Sequence, residues 1–441
     1  MYKPALRNIL IITLILLVGC SAGNSPGDIT SENNRGSAEY HTRMGDFHYN
    51  EGRRGEAEEF YKTALSIDPE YLPALIGLGE LYTAEDRYYR AKQLLDLAVK
   101  ISPDSEPAHL AMGELFLRQR KYDESKREFS RVLEINERSA SARLGLGSVA
   151  LREHRPSVAE EELRKAVEND PGSPDSYVRL GEALAEQKRY DEAIESLKKA
   201  LNIAPDYPDA LFVLGGIYFN MHRLGEAAET YKKLLEIRPD NANAYVGLGE
   251  IYYEQKRYHA AEDCHRKALE INPDNIDAWV ALGGVKNDLG EYDEAVRYHK
   301  KALEIDPDYA DAHLYLGEDY CGMGDYKKAE KSLGLALKLY PNDYCVHYEL
   351  GVLYTRTKRY DLAEKMLKKS AKLRPNYADA YYGLGGLRMA QGRLSEAKEA
   401  YKKALSVNPN FGEAYLKLAE IAIKEDDLES AENAFKEAIK I

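Results

Sequence analysis

The chain has 441 residues, enough for two or three ordinary domains, and 61 Lys+Arg against 74 Asp+Glu give a formal charge of −13. That balance argues against a nucleic-acid binder, which needs a basic footprint to displace counterions from phosphate. Charged residues make up 31% of the chain and runs of Val, Ile and Thr are scarce beyond the first twenty residues, so the expected class is all-α.

The first segment stands apart. Lys3 and Arg7 precede "ILIITLILLVG", Ile9 to Gly19, an apolar run shorter than the roughly 20 residues a spanning helix needs. It ends in "LVGC", Leu17 to Cys20, which resembles the bacterial lipobox. The resemblance implies that residues 1–19 are a cleaved lipoprotein signal peptide and that Cys20 is the lipidated first residue of the mature chain. Removal of Lys3 and Arg7 would take the formal charge from −13 to −15. Buried acyl methylenes contribute about 0.8 kcal/mol each, so two or three chains would anchor durably. Residues 20–37 follow as a tether rich in Ser, Gly and Asn. Ser21 after the cysteine implies, in a two-membrane bacterium, the outer membrane facing the periplasm.

From Ala38 onward the chain repeats. Prolines recur every 34 residues, Pro69, Pro103, Pro171, Pro205, Pro239, Pro273, Pro307, Pro341, Pro375 and Pro409, with Glu137 alone out of step. A period in this range marks a solenoid. Units open at 38, 72, 106, 140, 174, 208, 242, 276, 310, 344, 378 and 412, the twelfth ending at Ile441. Counting places from the start of each unit, places 4, 7, 8 and 11 follow the stripe of an amphipathic helix, as in Tyr245, Leu248, Gly249 and Tyr252. Place 8 is Gly in eleven of twelve units and place 20 is Ala in eleven, so two helices are expected to approach closely there. Bulky place-24 residues such as Tyr231, Tyr401 and Phe435 would fill the space beside that contact. Proline then ends the second helix.

The pattern in "AYVGLGEIYYEQKRYHAAEDCHRKALEINP", Ala244 to Pro273, is similar to that of the tetratricopeptide repeat family, and the similarity runs from Ala38 to Ile441, about nine-tenths of the chain. It implies an α-solenoid, a right-handed superhelix of about twelve helix-turn-helix repeats with the first helices lining a groove. The frame weakens over 106–173, where Glu137, Ser125, Val132, Arg143 and Pro156 depart from it. A softer seam is expected there.

No nucleotide-binding, serine-hydrolase or zinc-protease motif occurs, and seven of ten histidines take the place of packing aromatics: His41, His109, His313 and His347 at place 4, His48 at place 11, His265 and His299 at place 24. The expectation is a chain that is not an enzyme and carries no cofactor and no metal. Cys264, Cys321 and Cys345 read as unpaired, since the rise between Cys321 and Cys345 along parallel helices is roughly 15 Å.

In the family the groove wall comes from places 2, 5, 9, 12 and 13. Place 5 here offers Val178, Phe212, Val246, Val280, Leu314, Tyr348 and Tyr382; place 9 is acidic in seven of twelve units, including Glu80, Glu114, Glu182, Glu250 and Glu318. Neither the Lys/Asn/Arg carboxylate clamp of chaperone-binding members nor the asparagine ladder of glycosyltransferase members is present. An apolar stripe edged by carboxylates suits protein segments bearing basic and apolar side chains, although helix solvation alone also places Glu on surfaces and Asp at helix starts. The resemblances together imply a lipid-anchored interaction scaffold of the bacterial envelope, serving assembly, secretion, pilus or polysaccharide-export machinery. The competing reading is a repeat module associated with an enzyme such as a glycosyltransferase, whose catalytic part is missing here or sits on another chain. Hydrogen exchange is expected to show weaker amide protection over 106–173 than in neighbouring units; uniform protection from Tyr40 to Asn410 would refute the seam.

Overall fold

The computed structural model describes residues 36–441. They form twenty-four α-helices, two per unit, and no strand occurs among the described residues. In every unit the first helix fills places 1–13, as in Ala310–Gly322. The second starts at place 17 and, in the first eleven units, ends at place 30, as in Tyr326–Leu339. The described chain divides into two compact bodies, 36–239 and 240–441. Within each body the hairpins stack so that successive first helices touch, whereas no comparable contact joins successive second helices. Each body therefore has an inner face of first helices and an outer face of second helices.

The frame glycines are explained by what lies against them. A Cβ on Gly45 or Gly77 would stand 2.6–2.7 Å from the Tyr61 ring, and Gly113 and Gly145 meet Phe129 in the same way. The place-24 side chain thus fills a slot between place 8 of its own unit and place 6 of the next. Tyr61, Tyr231 and Tyr401 are among the largest fully buried side chains, and full burial of a side chain of this size contributes about 1.5–3 kcal/mol.

Place 15 bends the chain between the two helices. It has φ between 56° and 77° in all twelve units, yet only Gly52, Gly290, Gly324 and Gly392 are glycine there. The left-handed conformation costs other residues roughly 1–2 kcal/mol, so packing of the hairpin holds residues such as His154 and Lys256 in it. Entry to the next unit is capped at place 34: Ser105, Ser139, Ser173, Asn241 and Asn275 each accept the N–H three residues on.

Polar contacts fix the register from unit to unit. Rings at place 4 donate to the carbonyl of the proline six residues earlier, Trp279 to Pro273 at 2.8 Å, His313 to Pro307 at 2.9 Å, His347 to Pro341 at 3.0 Å and Tyr381 to Pro375 at 3.2 Å. Histidine serves here because its ring brings a donor as well as bulk. Place 21 of one unit grips the following unit's turn. Glu58 takes Arg87 at 2.8 Å and the Tyr82 hydroxyl at 2.7 Å, with Arg87 lying 3.9 Å over the Tyr82 ring. Glu330 does the same with Arg359 and Tyr354. Lys126–Glu153 and Lys398–Glu425 reverse the charges. The Arg87 guanidinium holds the Glu58 carboxyl down to about 2.

The departures over 106–173 are met locally. Ser125 Oγ donates to the Gly113 carbonyl at 2.8 Å, and Arg143 pairs with Glu162 at 2.6 Å. The division between compact bodies falls instead between Pro239 and Asp240.

Two place-24 histidines solve burial differently. His299 is fully buried and places Nδ1 2.6 Å from Asp319 Oδ2 and Nε2 3.2 Å from the Val280 carbonyl, and Asn287 donates to the other Asp319 oxygen at 2.7 Å. His265 is equally buried, but neither ring nitrogen has a partner, and burial pushes its pKa down to about 3. The residue of the following unit that corresponds to Asp319 is Val285.

Two matched pairs test this packing by urea unfolding. Gly317→Ala, whose Cβ would lie 2.5 Å from Leu333 Cγ, is expected to lower stability by about 1–2 kcal/mol. Gly334→Ala, in the same unit but facing open space, should raise it by about 0.5–1 kcal/mol. His265→Phe should stabilise by about 1–3 kcal/mol by removing unsatisfied polar atoms. The unfolded chain protonates His265 below about 6.5 while the folded chain refuses the proton down to about 3, so stability drains as pH falls through that window, and the Phe variant should lack this loss. His299→Phe, which leaves the buried Asp319 with Asn287 as its remaining donor, should cost about 1–3 kcal/mol. Equal effects within either pair would contradict the packing described.

Candidate binding face

The expected groove residues all lie on first helices, and the structure separates them into interior and surface. Val178, Phe212, Val246, Val280 and Leu314 are at most 9% exposed. The apolar stripe expected along place 5 is thus largely interior, because place 5 sits where neighbouring first helices touch. Tyr348 and Tyr382 are half-buried and keep part of their rings open. Both belong to an aromatic wall: Tyr348 and Tyr344 pack edge-on against Tyr377, at 5.7 and 4.9 Å, and Tyr382 lies 5.1 Å from Phe411.

In body 36–239 two of the four place-9 carboxylates are answered by arginines of the same helices, and Asp46 accepts from the Tyr61 hydroxyl at 2.7 Å. Glu114 accepts from Arg118 at 3.1 Å and Glu182 takes Arg179 through both oxygens at 2.8 Å. Burial raises Glu80 to about 7, with Asp46 and Glu114 adding repulsion. This face therefore has arginines against Glu114 and Glu182 but none against Glu80.

Body 240–441 differs. Its first helices from Ala242 to Ala390 carry nine carboxylates and three cations, and two of those cations are engaged elsewhere: Lys286 with Glu262 and Glu291, Arg388 with Glu364. Arg356 remains, donating to the Cys321 carbonyl at 3.3 Å. Glu250 is 3% exposed and its Oε2 has no partner; burial, with Glu254 and Asp277 nearby, pushes its carboxyl up to about 8. Glu318 and Glu349 keep part of their surface open, yet burial raises both, with repulsion from Glu349 adding to Glu318, and Glu349 reaches about 7 against the pull of Arg356. Asp277, by contrast, is occupied by the Tyr309 hydroxyl at 2.6 Å. The face therefore carries a row of carboxyls without a cation, Glu318 and Glu349 partly open with Tyr348 and Tyr382 beside them, and Glu250 buried.

Glu349, at place 6, was not foreseen from the sequence. Place 6 is elsewhere Gly, Ala, Val213, Tyr315 or a cation such as Arg179 and Lys417, and a lone acid in that column was the available signal. No group of three or more metal-ligating side chains occurs among the described residues, no helix among them is long and apolar enough to cross a membrane, and no disulfide joins Cys264, Cys321 and Cys345. Cys20 and residues 1–19 lie outside the described residues.

Comparison with known proteins accords with this architecture. Family profiles described as tetratricopeptide repeat match 49–115, 110–174, 162–195, 206–274, 240–307, 274–342, 343–410 and 388–441, and one described as TPR repeat matches 181–222. No curated protein sequence matches the chain. Among solved structures, a chain of the "Crystal structure of APC/C hetero-tetramer Cut9-Hcn1" is similar over 94% of this chain and 96% of its own, with 16% identity and a TM-score of 0.49. With repeat matches running unbroken from 49 to 441 over hairpins of one fixed frame, the chain belongs to the tetratricopeptide repeat family.

Proposed function

We propose that the chain is a lipid-anchored, non-catalytic scaffold of the bacterial cell envelope, whose inner face in body 240–441 receives protein segments carrying Lys or Arg beside apolar side chains. Tetratricopeptide repeats are interaction scaffolds, and no catalytic family matches the chain. The envelope role rests on the charged start, the apolar run and the lipobox-like "LVGC" ending at Cys20. Assembly, secretion, pilus and polysaccharide-export machines are the settings that use anchored scaffolds of this kind.

The observation that carries the partner's chemistry is the unanswered carboxyl row. A buried Glu250 without a partner costs free energy, and a guanidinium or ammonium arriving beside it supplies the missing hydrogen bonds. The faces of Tyr348 and Tyr382 add attraction for the same cation. A flat, repeated surface also suits many weak contacts at once, which raises avidity without a deep pocket.

Crosslinking in the native membrane, followed by identification of what is held, tests the reading. The held protein should contact 240–390 through a basic segment, and Glu250→Gln with Glu349→Gln should weaken its capture about tenfold or more. Glu349 and Glu250 release their protons near 7 and 8, so capture should strengthen from pH 6 to pH 8 and weaken with added salt. Capture indifferent to pH, salt and both substitutions would remove the electrostatic part of the proposal.

A further inference from the structure

The outer face of body 240–441 changes sign within the fixed frame. Places 19, 22, 26 and 29 lie on the solvent side of each second helix. In the unit at 208 they read Glu226, Glu229, Lys233 and Glu236, and in the unit at 276 Glu294, Arg297, Lys301 and Glu304. In the unit at 310 the same places are Lys328, Lys331, Leu335 and Lys338, all exposed. In the unit at 344 they are Leu362, Lys365, Lys369 and Lys372, with only Lys369 half-buried. Neither helix carries an acid at these places, in a chain whose formal charge is −13.

These lysines also lack counter-ions. Lys328 pairs with Asp325 at 2.7 Å, but Lys331, Lys338, Lys365, Lys369 and Lys372 have no carboxylate in ion-pair reach among the described residues. Some ridge acids elsewhere are answered within their own helices, Glu161 by Lys165 at 2.7 Å, Glu195 by Lys199 at 3.1 Å and Glu304 by Lys301 at 2.6 Å. Large apolar side chains stand among the lysines: Leu335 is 38% exposed, Leu362 42% and Tyr340 58%.

We propose that the second helices of the units at 310 and 344 form a seat for an anionic lipid surface. An uncompensated row of like charges is complementary to a field of headgroups rather than to one fixed anion. Lysine suits that field, being a point charge on a flexible stem, whereas the rigid fork of arginine suits the fixed geometry of one phosphate or carboxylate. Leu335, Leu362 and Tyr340 can enter the boundary between headgroups and acyl chains while the lysines remain at its surface. The overall negative charge does not oppose this contact, because screening confines each charge to about 8 Å at physiological salt. The seat is independent of lipidation at Cys20 and of the carboxyl row on the inner face.

The test compares the full chain on vesicles of phosphatidylcholine alone and of phosphatidylcholine with phosphatidylglycerol. The parent should bind the anionic vesicles at least about tenfold more tightly, each lysine at the surface contributing roughly fivefold. The variant Lys331→Glu, Lys338→Glu, Lys365→Glu, Lys372→Glu should lose that part of the preference while keeping its helical circular-dichroism signal, because Glu is what sibling units carry at these places. The apolar segment 9–19 and the charges of Lys3 and Arg7 are common to both proteins and cancel. Equal binding to both vesicles by the parent, or an undiminished preference in the variant, overturns the proposal. So does a variant that loses self-association or duplex-DNA binding while its vesicle preference stays, which would assign the lysines to another occupant.

Discussion

Eleven of the twelve hairpins close over a glycine because a side chain sixteen residues later occupies the volume its Cβ would need. Tyr61 on Gly45, Phe129 on Gly113, Leu333 on Gly317 and Tyr401 on Gly385 are the same contact written with different residues. Where the next unit also presents glycine at place 6, as at Gly77 and Gly145, that side chain is shared between neighbours. Stability in such an array is a sum of hairpin terms and nearest-neighbour terms, with no central core to hold distant units. The absence of insertions follows: one extra residue would move place 24 off its glycine and turn every later place away from its partner.

Within that constraint the chemistry of individual places is free to vary as long as the slot is filled. His265 and His299 both fill it, one without a polar partner and one joined to Asp319 and Asn287. The clamp at place 21 tolerates reversal, with Glu58 gripping Arg87 in one joint and Lys126 gripping Glu153 in another. What is held constant is geometry: the left-handed residue at place 15 persists through Gly, Lys, His, Asp and Arg, so the hairpin imposes it rather than the residue choosing it.

The sequence carried the fold to the extent that the frame is one-dimensional. The interval between prolines, the glycine at place 8 and the alanine at place 20 give the helix pairs and their order directly, and helix boundaries follow the same 34-residue count. Contacts between places were less legible. Nothing in a single unit shows that Glu58 belongs to Arg87, because the two meet only when hairpins stack. The place-5 residues Val178, Val246 and Val280 read as a groove lining, yet they are interior because successive first helices press together there. Place-9 acids looked alike along the chain. Glu182 is tied to Arg179 within its own helix, whereas Glu250 faces no cation, and only the three-dimensional surroundings distinguish them.

The units at 310 and 344 show how a repeat can hold two opposite surfaces without altering its interior. Their first helices contribute the carboxyls Glu318 and Glu349, and their second helices contribute Lys331, Lys338, Lys365 and Lys372. Between the two layers lie Gly317 against Leu333 and Gly351 against Leu367, the same packing as in every sibling. Exchanging Glu for Lys at a solvent place leaves that layer untouched, and surface changes of this kind shift stability by only about half a kcal/mol. Charge on each face can therefore change with little effect on folding. A sign reversal over two adjacent units of body 240–441, on places where the other units of that body carry acids, is then better explained by what the face meets than by what the fold requires.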